Sequence, residues 1–212
     1  MHRERLGRLL LAGVVLMAGC GEADGAEQAE TSGPAGEWRT AGCEFSRVPQ
    51  HATMGGTRML VTPAPLGAAI GRIDQGGRQR FPESYAGVEV DQLHVRAIVY
   101  RVPSEAFDAF LRETARDVCL VVRDAAHGVE ELATWHDRIV ADLPHWAGAG
   151  VRIVTVGSRH DGAGVEIGTR DIDRARRELS GRYGPEAPLV FVEEGPVTPL
   201  TSMRTIESGS GD

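Results

Sequence analysis

Cys119-Leu-Val-Val122 opens the stretch that decides the fold, because residues 119–192 alternate short apolar runs with amphipathic segments. A continuous apolar run of this length is typical of a central strand that is buried on both faces. Three more strands and two helices are predicted after it, over residues 151–156, 165–169 and 189–192 for the strands and 129–142 and 171–183 for the helices. The order is therefore strand, helix, strand, strand, helix, strand, which is that of a ferredoxin-like unit.

A strand pair and a helix are predicted upstream of this stretch. Val88 and Val90 alternate with acidic residues, and a long β run follows from Leu93 to Val102. Ser104 then has the position of an N-cap, and an apolar stripe at helical spacing follows it: Phe107, Phe110, Leu111 and Ala115. We expect an α+β fold, a two-layer sandwich with a mainly antiparallel sheet, helices on one face, and ferredoxin-like (βαββαβ) order in its C-terminal half.

The section from Trp38 to Tyr85 is irregular by comparison. Leu66, Ala69, Ile70 and Ile73 have helical spacing, and Gly76-Gly77 predicts the end of that helix. We expect this section to wrap onto the core. No internal repeat is evident in the sequence, so residues 38–199 are predicted to form a single α+β domain, with residues 200–212 as a flexible tail.

The N-terminus has the features of a secretory signal. Three arginines precede an apolar run from Leu9 to Ala18, which is too short for a bilayer that needs about 20 apolar residues. Leu16-Met-Ala-Gly-Cys20 resembles the lipobox of bacterial lipoproteins, although Met17 stands where that family usually has Leu or Val. The resemblance implies removal of residues 1–19 and lipidation of Cys20. A secretory signal cut elsewhere, or an N-terminal membrane anchor, is the alternative.

Residues 20–37 follow the lipobox, and from Gly21 onward they contain no large apolar side chain. Such a segment cannot bury enough surface to offset the entropy of ordering it, so we expect a disordered tether between membrane and domain.

Cys43 and Cys119 remain when Cys20 is set aside. An extracytoplasmic compartment is oxidising, and we expect these two cysteines to form a disulfide. Two separate buried thiols are the alternative.

The charge balance argues against nucleic acid as a partner. The chain has 23 basic and 30 acidic residues, and residues 1–19 contain three Arg and one Glu, so the rest carries a formal charge of −9. An acidic protein is poorly suited to nucleic acid and to electrostatic attachment to anionic lipid. All of the basic residues are arginine, and the chain contains no Lys and no Asn. Lysine-dependent chemistry and N-glycosylation are thereby excluded. Arg, Ala and Gly in excess are typical of a high-GC genome.

Several short motifs resemble a known class of secreted protein: Tyr85-Ala-Gly-Val-Glu-Val-Asp91, Glu130-Glu-Leu132, Gly150-Val-Arg-Ile153, Gly164-Val-Glu-Ile167 and Tyr183-Gly184. This series is similar to secreted and lipoprotein domains of actinobacteria, and more distantly to the pro-regions of bacterial chymotrypsin-like peptidases. No protease domain follows, and no catalytic residue can be carried over. The resemblance implies a domain that binds other proteins through its sheet or a sheet edge.

No catalytic, cofactor or metal motif stands out in the sequence. His127, His136 and His145 are spaced nine residues apart, not the four of a helical zinc site. His136 lies on the inner stripe of the predicted helix over 129–142, where a half-buried core histidine or a general base would both be placed. No Gly-x-Ser-x-Gly nucleophile accompanies it. We predict no metal and no cofactor, and we lean against an enzyme.

Trp135, Arg138 and Trp146 form the candidate interaction surface, since aromatic and Arg side chains are enriched in protein contacts. Packing of both tryptophans at the core edge is the alternative. The leading hypothesis is a lipid-anchored protein on the extracytoplasmic face of the membrane that binds another envelope or secreted protein. A small hydrolase that uses His136, or capture of a small ligand under residues 38–85, are the alternatives.

Overall fold

The structure is a computed structural model, and it describes residues 36–195. The predicted signal peptide, the lipidation site Cys20, the tether as far as residue 35 and the tail 200–212 lie outside the described residues.

The described chain contains nine strands and five α-helices. The strands are β1 (Trp38–Arg39), β2 (Gln50–Met54), β3 (Thr57–Val61), β4 (Tyr85–Asp91), β5 (Arg96–Arg101), β6 (Leu120–Asp124), β7 (Ile153–Ser158), β8 (Val165–Thr169) and β9 (Leu189–Glu193). The helices are α1 (Ala64–Arg80), α2 (Glu105–Thr114), α3 (Val129–Ala141), α4 (Leu143–Gly148) and α5 (Ile172–Tyr183). This content confirms the predicted α+β class.

The strands form three separate sheets. The first has the order β1-β6-β5-β4, the second is the β2–β3 hairpin, and the third has the order β7-β8-β9. The element order from β6 to β9 is the predicted ferredoxin-like order, but β6 pairs with β5 and β1 and belongs to the first sheet. The ferredoxin-like order is therefore divided between two sheets.

The division exposes an internal repeat that the sequence analysis did not detect. In the N-module, residues 64–124, α1 leads into the antiparallel pair β4–β5, and α2 connects β5 to the parallel strand β6. In the C-module, residues 129–193, α3 leads into the antiparallel pair β7–β8, and α5 connects β8 to the parallel strand β9. The short helix α4 is the one addition to the second copy.

The N-module has its own core, in which α1 and α2 pack on one face of the first sheet. Spacings of three and four residues bring the apolar side chains of each helix onto one stripe. The fully or nearly fully buried members include Leu66, Ala69 and Ile73 from α1, Phe107 and Leu111 from α2, and Val99, Leu120 and Val122 from the strands. Residues 119–122 are buried on both faces of the sheet, as their apolar run predicts.

The C-module has a second core built in the same way from α3, α4 and α5 against the third sheet. Its buried members include Leu132, Ile139, Trp146, Val165, Ile167, Ala175 and Leu179. Asp171 caps α5 by accepting a hydrogen bond from the backbone N–H of Arg174 at 3.0 Å. Gly184, at φ +92°, follows the last residue of α5 and ends the helix.

The turn between β7 and β8 touches the start of β4, so the two modules are in contact. A Cβ placed on Gly87 would lie 2.4 Å from the carbonyl oxygen of His160, and the backbone N–H of His127 donates to the carbonyl of Gly162 at 3.1 Å. The rings of Tyr100 and His160 meet edge to face with centroids 5.8 Å apart. The glycine at position 87 is what allows this close approach.

Two predicted boundaries are wrong. Helix α1 continues through Gly76-Gly77 to Arg80, because these glycines make room for aromatic rings: a Cβ on either would lie 2.5 Å from Phe110 or Tyr85. The long β run begins at Arg96 and not at Leu93, which is 65% exposed in the turn after β4.

The section before α1 is pinned to the N-module at one place. Cys43 and Cys119 are joined by a disulfide, which confirms the predicted pairing. Beside it, the Thr40 hydroxyl donates to the carbonyl of Val118 at 2.7 Å and accepts from the backbone N–H of Leu120 at 2.9 Å. β1 pairs with β6, so this section adds the fourth strand to the first sheet.

Candidate functional site

Two of the three residues of the candidate interaction surface lie together on α3. Trp135 is partly buried against the second core, and Arg138, one turn further along, is exposed. The Arg138 guanidinium carbon lies 5.1 Å from the ring centroid of Trp135 and 5.0 Å from that of Tyr183. A guanidinium within about 6 Å of a ring face is attracted by the negative face of the π-system. The cation is therefore held in place above two aromatic rings.

Trp146, the third residue, is only 2% exposed, so its assignment to a contact surface is wrong. It lies on α4, which Pro144 starts in a new direction after α3. The indole is turned inward, and its N–H donates to the Tyr183 hydroxyl at 3.1 Å. Trp146 supports the surface from below and does not form it.

Asp142 connects α3 to the end of α5. Its carboxylate accepts from the Tyr183 hydroxyl at 2.9 Å and from Arg182 through Nε at 2.9 Å and Nη2 at 3.1 Å. The hydrogen bonds from Arg182, and then from Tyr183, hold the pKa of the Asp142 carboxyl below its usual range. The carboxylate stays charged near neutral pH and fixes the Tyr183 ring under Arg138.

We call these side chains the aromatic–arginine cluster: Trp135, Arg138, Asp142, Trp146, Arg182 and Tyr183. Its aromatic rings and guanidinium groups belong to the residue types that contribute most at protein interfaces. Sequence reasoning missed Asp142, Arg182 and Tyr183 as members. Tyr183 is the last residue of the predicted helix over 171–183, but the position of a residue in a helix does not say which neighbouring helix it packs against.

His136 lies apart from the cluster and is not enclosed. Its side chain is 35% exposed, and its Nδ1 lies 3.0 Å from an Oδ1 of the neighbouring Asp137. Neither of the two cavities below includes it among the lining residues.

One cavity lies under the irregular section, where a small ligand was one of the hypotheses. It has a volume of about 320 Å³ and is lined by Arg47, Val48, Gln50, Pro63, Pro65, Leu66, Val95, Val118 and Cys119. Val95 there has φ +50°, a conformation that is rare for a β-branched residue. The Nε of Arg47 is buried and has no hydrogen-bond partner, while its Nη2 donates to the carbonyl of Asp117 at 2.7 Å. A larger cavity of about 540 Å³ lies between α1 and α2.

The most deeply buried charge of the N-module is Arg101, which is 4% exposed at the end of β5. Its guanidinium donates to Asp108 of α2 at 2.7 Å and also to Asp124 of β6. Burial acts to lower the pKa of Arg101, but the two carboxylates outweigh it and the pKa is raised. The Arg101 guanidinium is thus paired with carboxylates of α2 and β6, and it stabilises the packing of α2 on the sheet.

Two further findings concern residues 36–195 alone. No group of three or more His, Cys, Asp or Glu side chains there is placed to hold a metal ion. No helix in that range is both long and apolar enough to cross a membrane.

The sequence matches no known protein family and no curated protein.

Proposed function

We propose that the protein is a non-enzymatic lipoprotein, tethered through Cys20 to the extracytoplasmic face of the cell membrane, that binds another envelope or secreted protein through the aromatic–arginine cluster. The observation that carries the proposal is the exposed Arg138 guanidinium, held over the rings of Trp135 and Tyr183. These two contacts restrain the side chain relative to an arginine without an aromatic neighbour.

Fixing a side chain before binding reduces the entropy lost when a partner arrives. An immobilised, rotamer-rich side chain costs about 0.5–1.5 kcal/mol on association, and the Arg138 side chain is already held by two rings. Tyr, Trp and Arg are also the residue types that contribute most to binding at protein interfaces. The cluster therefore has both the composition and the rigidity of an interface centre.

Two observations support the location. The disulfide between Cys43 and Cys119 is of the kind that persists in an oxidising, extracytoplasmic compartment. The lipobox-like Leu16–Cys20 gives the thiol that would be lipidated. Two acyl chains anchor a protein stably where one chain binds only marginally.

The test is a photo-crosslinking experiment on cells that express the full precursor. A photo-reactive amino acid replaces Arg138 in one form and Arg116, an exposed arginine of the N-module, in the matched control. A partner that is captured from position 138 and not from position 116 supports the proposal. The same capture should fail with Cys20→Ala, which removes the site of lipidation.

Two results would overturn the proposal. One is equal capture from positions 138 and 116, because the cluster would then have no special role. The other is a partner whose affinity for the purified protein is unchanged by Arg138→Ala, measured by calorimetry. Arg138→Ala is expected to weaken binding at least about tenfold, since interface hot spots cost 2 kcal/mol or more when truncated.

The cavity under the irregular section favours a second candidate function, which is capture of a small ligand. Its volume of about 320 Å³ is at the lower end for ligand pockets, and its wall is about equally polar and apolar. The buried Nε of Arg47 lacks an acceptor, which a ligand carboxylate or carbonyl would supply. Ligand extraction from the purified protein, followed by mass spectrometry, tests it. A bound apolar acid that is absent from Arg47→Leu would support it, and an empty wild-type protein would exclude it.

A further inference from the structure

The exposed apolar side chains of the described residues are concentrated in one short segment. Seven large hydrophobic residues are exposed between residues 36 and 195, and four of them lie in the segment 45–59: Phe45 (68% exposed), Val48 (85%), Met54 (65%) and Met59 (49%). The other three, Val90, Leu93 and Val140, lie singly in different elements. Scattered exposed apolar residues are ordinary, but a concentration of them indicates a surface that binds a protein, a ligand or a membrane.

The register of the β2–β3 hairpin gathers this apolar surface on one side. Ala52 pairs with Met59, and alternate residues of a strand share a face, so Met54 and Met59 lie on the same face of the hairpin together with Ala52 and Val61. Within the described residues the two strands are hydrogen-bonded only to each other. An isolated two-stranded hairpin is marginally stable in water, so this one would gain from a surface to rest on.

The charge of the segment differs from that of the rest of the chain. Residues 45–73 contain no Asp and no Glu over 29 positions, while the whole chain has a formal charge of −7. Arg47, Arg58 and Arg72 lie in that segment. Arg58 is exposed on β3 and makes no salt bridge within the described part of the chain. Arg58 pairs with Thr53 and therefore lies on the face opposite Met54 and Met59, so the hairpin has one apolar face and one face that carries a cation.

We propose that the β2–β3 hairpin docks onto the surface of an anionic lipid bilayer, with Met54 and Met59 in the interfacial layer and Arg58 at the lipid phosphates. Apolar side chains combined with positive charge are what bind an anionic membrane surface. The inference rests on the proposed lipid anchor at Cys20, because that anchor makes the bilayer the nearest surface.

The length of the tether makes the contact feasible. Fifteen residues, 21–35, lie between Cys20 and residue 36, where the described chain begins. The sixteen Cα–Cα steps can span at most about 55 Å. The hairpin begins 14 residues further on, at Gln50, and is thus held at high effective concentration beside the membrane. A second copy of the chain is not held near the hairpin in this way and would have to reach it by diffusion, so the membrane is the favoured occupant.

The experiment uses the mature chain, residues 20–212, with Cys20→Ser so that no lipid is attached. Its co-sedimentation is measured with vesicles of phosphatidylglycerol and phosphatidylcholine, and with vesicles of phosphatidylcholine alone. We expect binding to the anionic vesicles only. The double variant Met54→Ser/Met59→Ser should reduce the partition coefficient about tenfold, and Arg58→Gln should reduce it about fivefold.

The controls are matched in chemistry and exposure. Leu93→Ser removes an equally exposed apolar side chain from the β4–β5 turn, and Arg177→Gln removes an exposed arginine from α5. Both should leave the partition coefficient unchanged. Equal losses in the hairpin variants and the controls would overturn the inference. So would a concentration-dependent dimer that Met54→Ser/Met59→Ser abolishes without any vesicle binding, since the occupant would then be a second copy.

The lipidated protein in native membranes allows a second readout. Met54 and Met59 are two of the three methionines after residue 19, so photo-reactive methionine places the probe on the hairpin. Lipid adducts on Met54 and Met59 are expected, and adducts to protein alone would count against the inference. This result is independent of the partner captured from position 138, so the two proposals can fail separately. Failure of Cys20 lipidation would remove the anchor but would leave the vesicle result standing.

Discussion

Gly77 is a residue at which the N-module is sensitive to one added methyl group. A Cβ there would lie 2.5 Å from Cγ of Tyr85, whose ring is completely buried. Alanine is the better helix former by about 1 kcal/mol, but overpacking a closed core costs about 1–3 kcal/mol. We expect Gly77→Ala to lower the free energy of unfolding by about 1–2 kcal/mol, as measured by chemical denaturation.

Gly71 on the same helix provides the matched control, because nothing lies within 4 Å of a Cβ at that position. Gly71→Ala should raise the free energy of unfolding by about 0.5–1 kcal/mol through helix propensity alone. If both variants changed stability in the same direction, close packing at Gly77 would not be the reason for glycine there.

Asp161 predicts a pH dependence of stability. Hydrogen bonds from Arg159, one of them 2.6 Å long, hold the pKa of the Asp161 carboxyl below its usual range. A lowered pKa means that the carboxylate stabilises the fold above its unfolded pKa of about 4 and loses this effect as the pH falls through the folded value. Asp161→Asn should therefore cost about 1 kcal/mol at neutral pH and progressively less as the pH falls below about 4.

Unfolding of wild type and Asp161→Asn is compared by denaturant titration at neutral and acidic pH. Glu178→Gln is the control, since Glu178 is exposed on α5 and makes no salt bridge among residues 36–195. It should change stability little at either pH. A destabilisation by Asp161→Asn that stays constant on acidification would contradict the ionic contribution.

Single residues with a local partner were the most predictable from sequence. Ser104 caps α2 as predicted, and Asp171 caps α5 in the same way, because each accepts a hydrogen bond from a backbone N–H three residues ahead. Trp146 was misplaced because its direction depends on a one-turn helix and on Tyr183, which lies 37 residues away. The local chain determines a cap, whereas a buried indole depends on the packing of three helices.

Among the secondary-structure elements, the section before α1 depends on a single covalent attachment. The disulfide joins Cys43 to Cys119 at the start of the central strand β6 and closes a loop with a sequence separation of 76. A disulfide typically stabilises a fold by about 2–4 kcal/mol, mainly by restricting the unfolded chain. We expect Cys43→Ala/Cys119→Ala to lower the free energy of unfolding by that amount.

Addition of a reductant to the wild type should reproduce the effect of the double variant, and it should change nothing further in the double variant itself. Hydrogen exchange of β1 gives the local readout, since Thr40 still bonds Val118 and Leu120 without the disulfide. Equal stability of oxidised and reduced wild type would show that Thr40 alone holds the section in place.

A secondary-structure element was predictable where its own periodicity defined it. It was not predictable where its extent depends on a residue that is distant in the sequence. The stripe of α2 is visible in the sequence because its apolar residues repeat every three or four positions. The C-terminal end of α1 is not visible in the sequence. Gly76-Gly77 has the pattern of a helix end, and only the structure shows that Phe110 and Tyr85 pack against these glycines. The β2–β3 hairpin was missed because its strands lack a buried face.

For the whole molecule, the α+β class and the chain order were predicted correctly, but the division of the strands among three sheets was not predicted. The order of the elements from β6 to β9 is compatible with one ferredoxin-like sheet. It is equally compatible with two sheets, in which β6 pairs with β5. Pairing across sheets depends on long-range contacts that no local pattern encodes. The aromatic–arginine cluster is subject to the same limit: α3 could be found in the sequence, but the approach of Tyr183 from α5 could not.

The contact between the modules gives the last prediction. A methyl group at Gly87 would lie 2.4 Å from the His160 carbonyl oxygen, which belongs to the turn between β7 and β8. Since both partners are backbone or backbone-attached atoms, neither can rotate away, and Gly87→Ala should separate the turn from β4. Each module has its own core, so both should remain folded. Loss of their contact should split a single calorimetric transition into two.

Gly157 in β7 is the matched control, since a Cβ there meets nothing within 4 Å and its φ is not in the left-handed region. Gly157→Ala should leave one transition with a midpoint close to that of the wild type. Hydrogen exchange shows whether the contact between the modules or one of the cores has been weakened. If only the contact is lost, protection should fall first at residues 85–87 and 159–164 and not in either core. One unchanged transition in Gly87→Ala would mean that the modules are coupled elsewhere, for which the neighbouring bond from His127 to Gly162 is the next site to test.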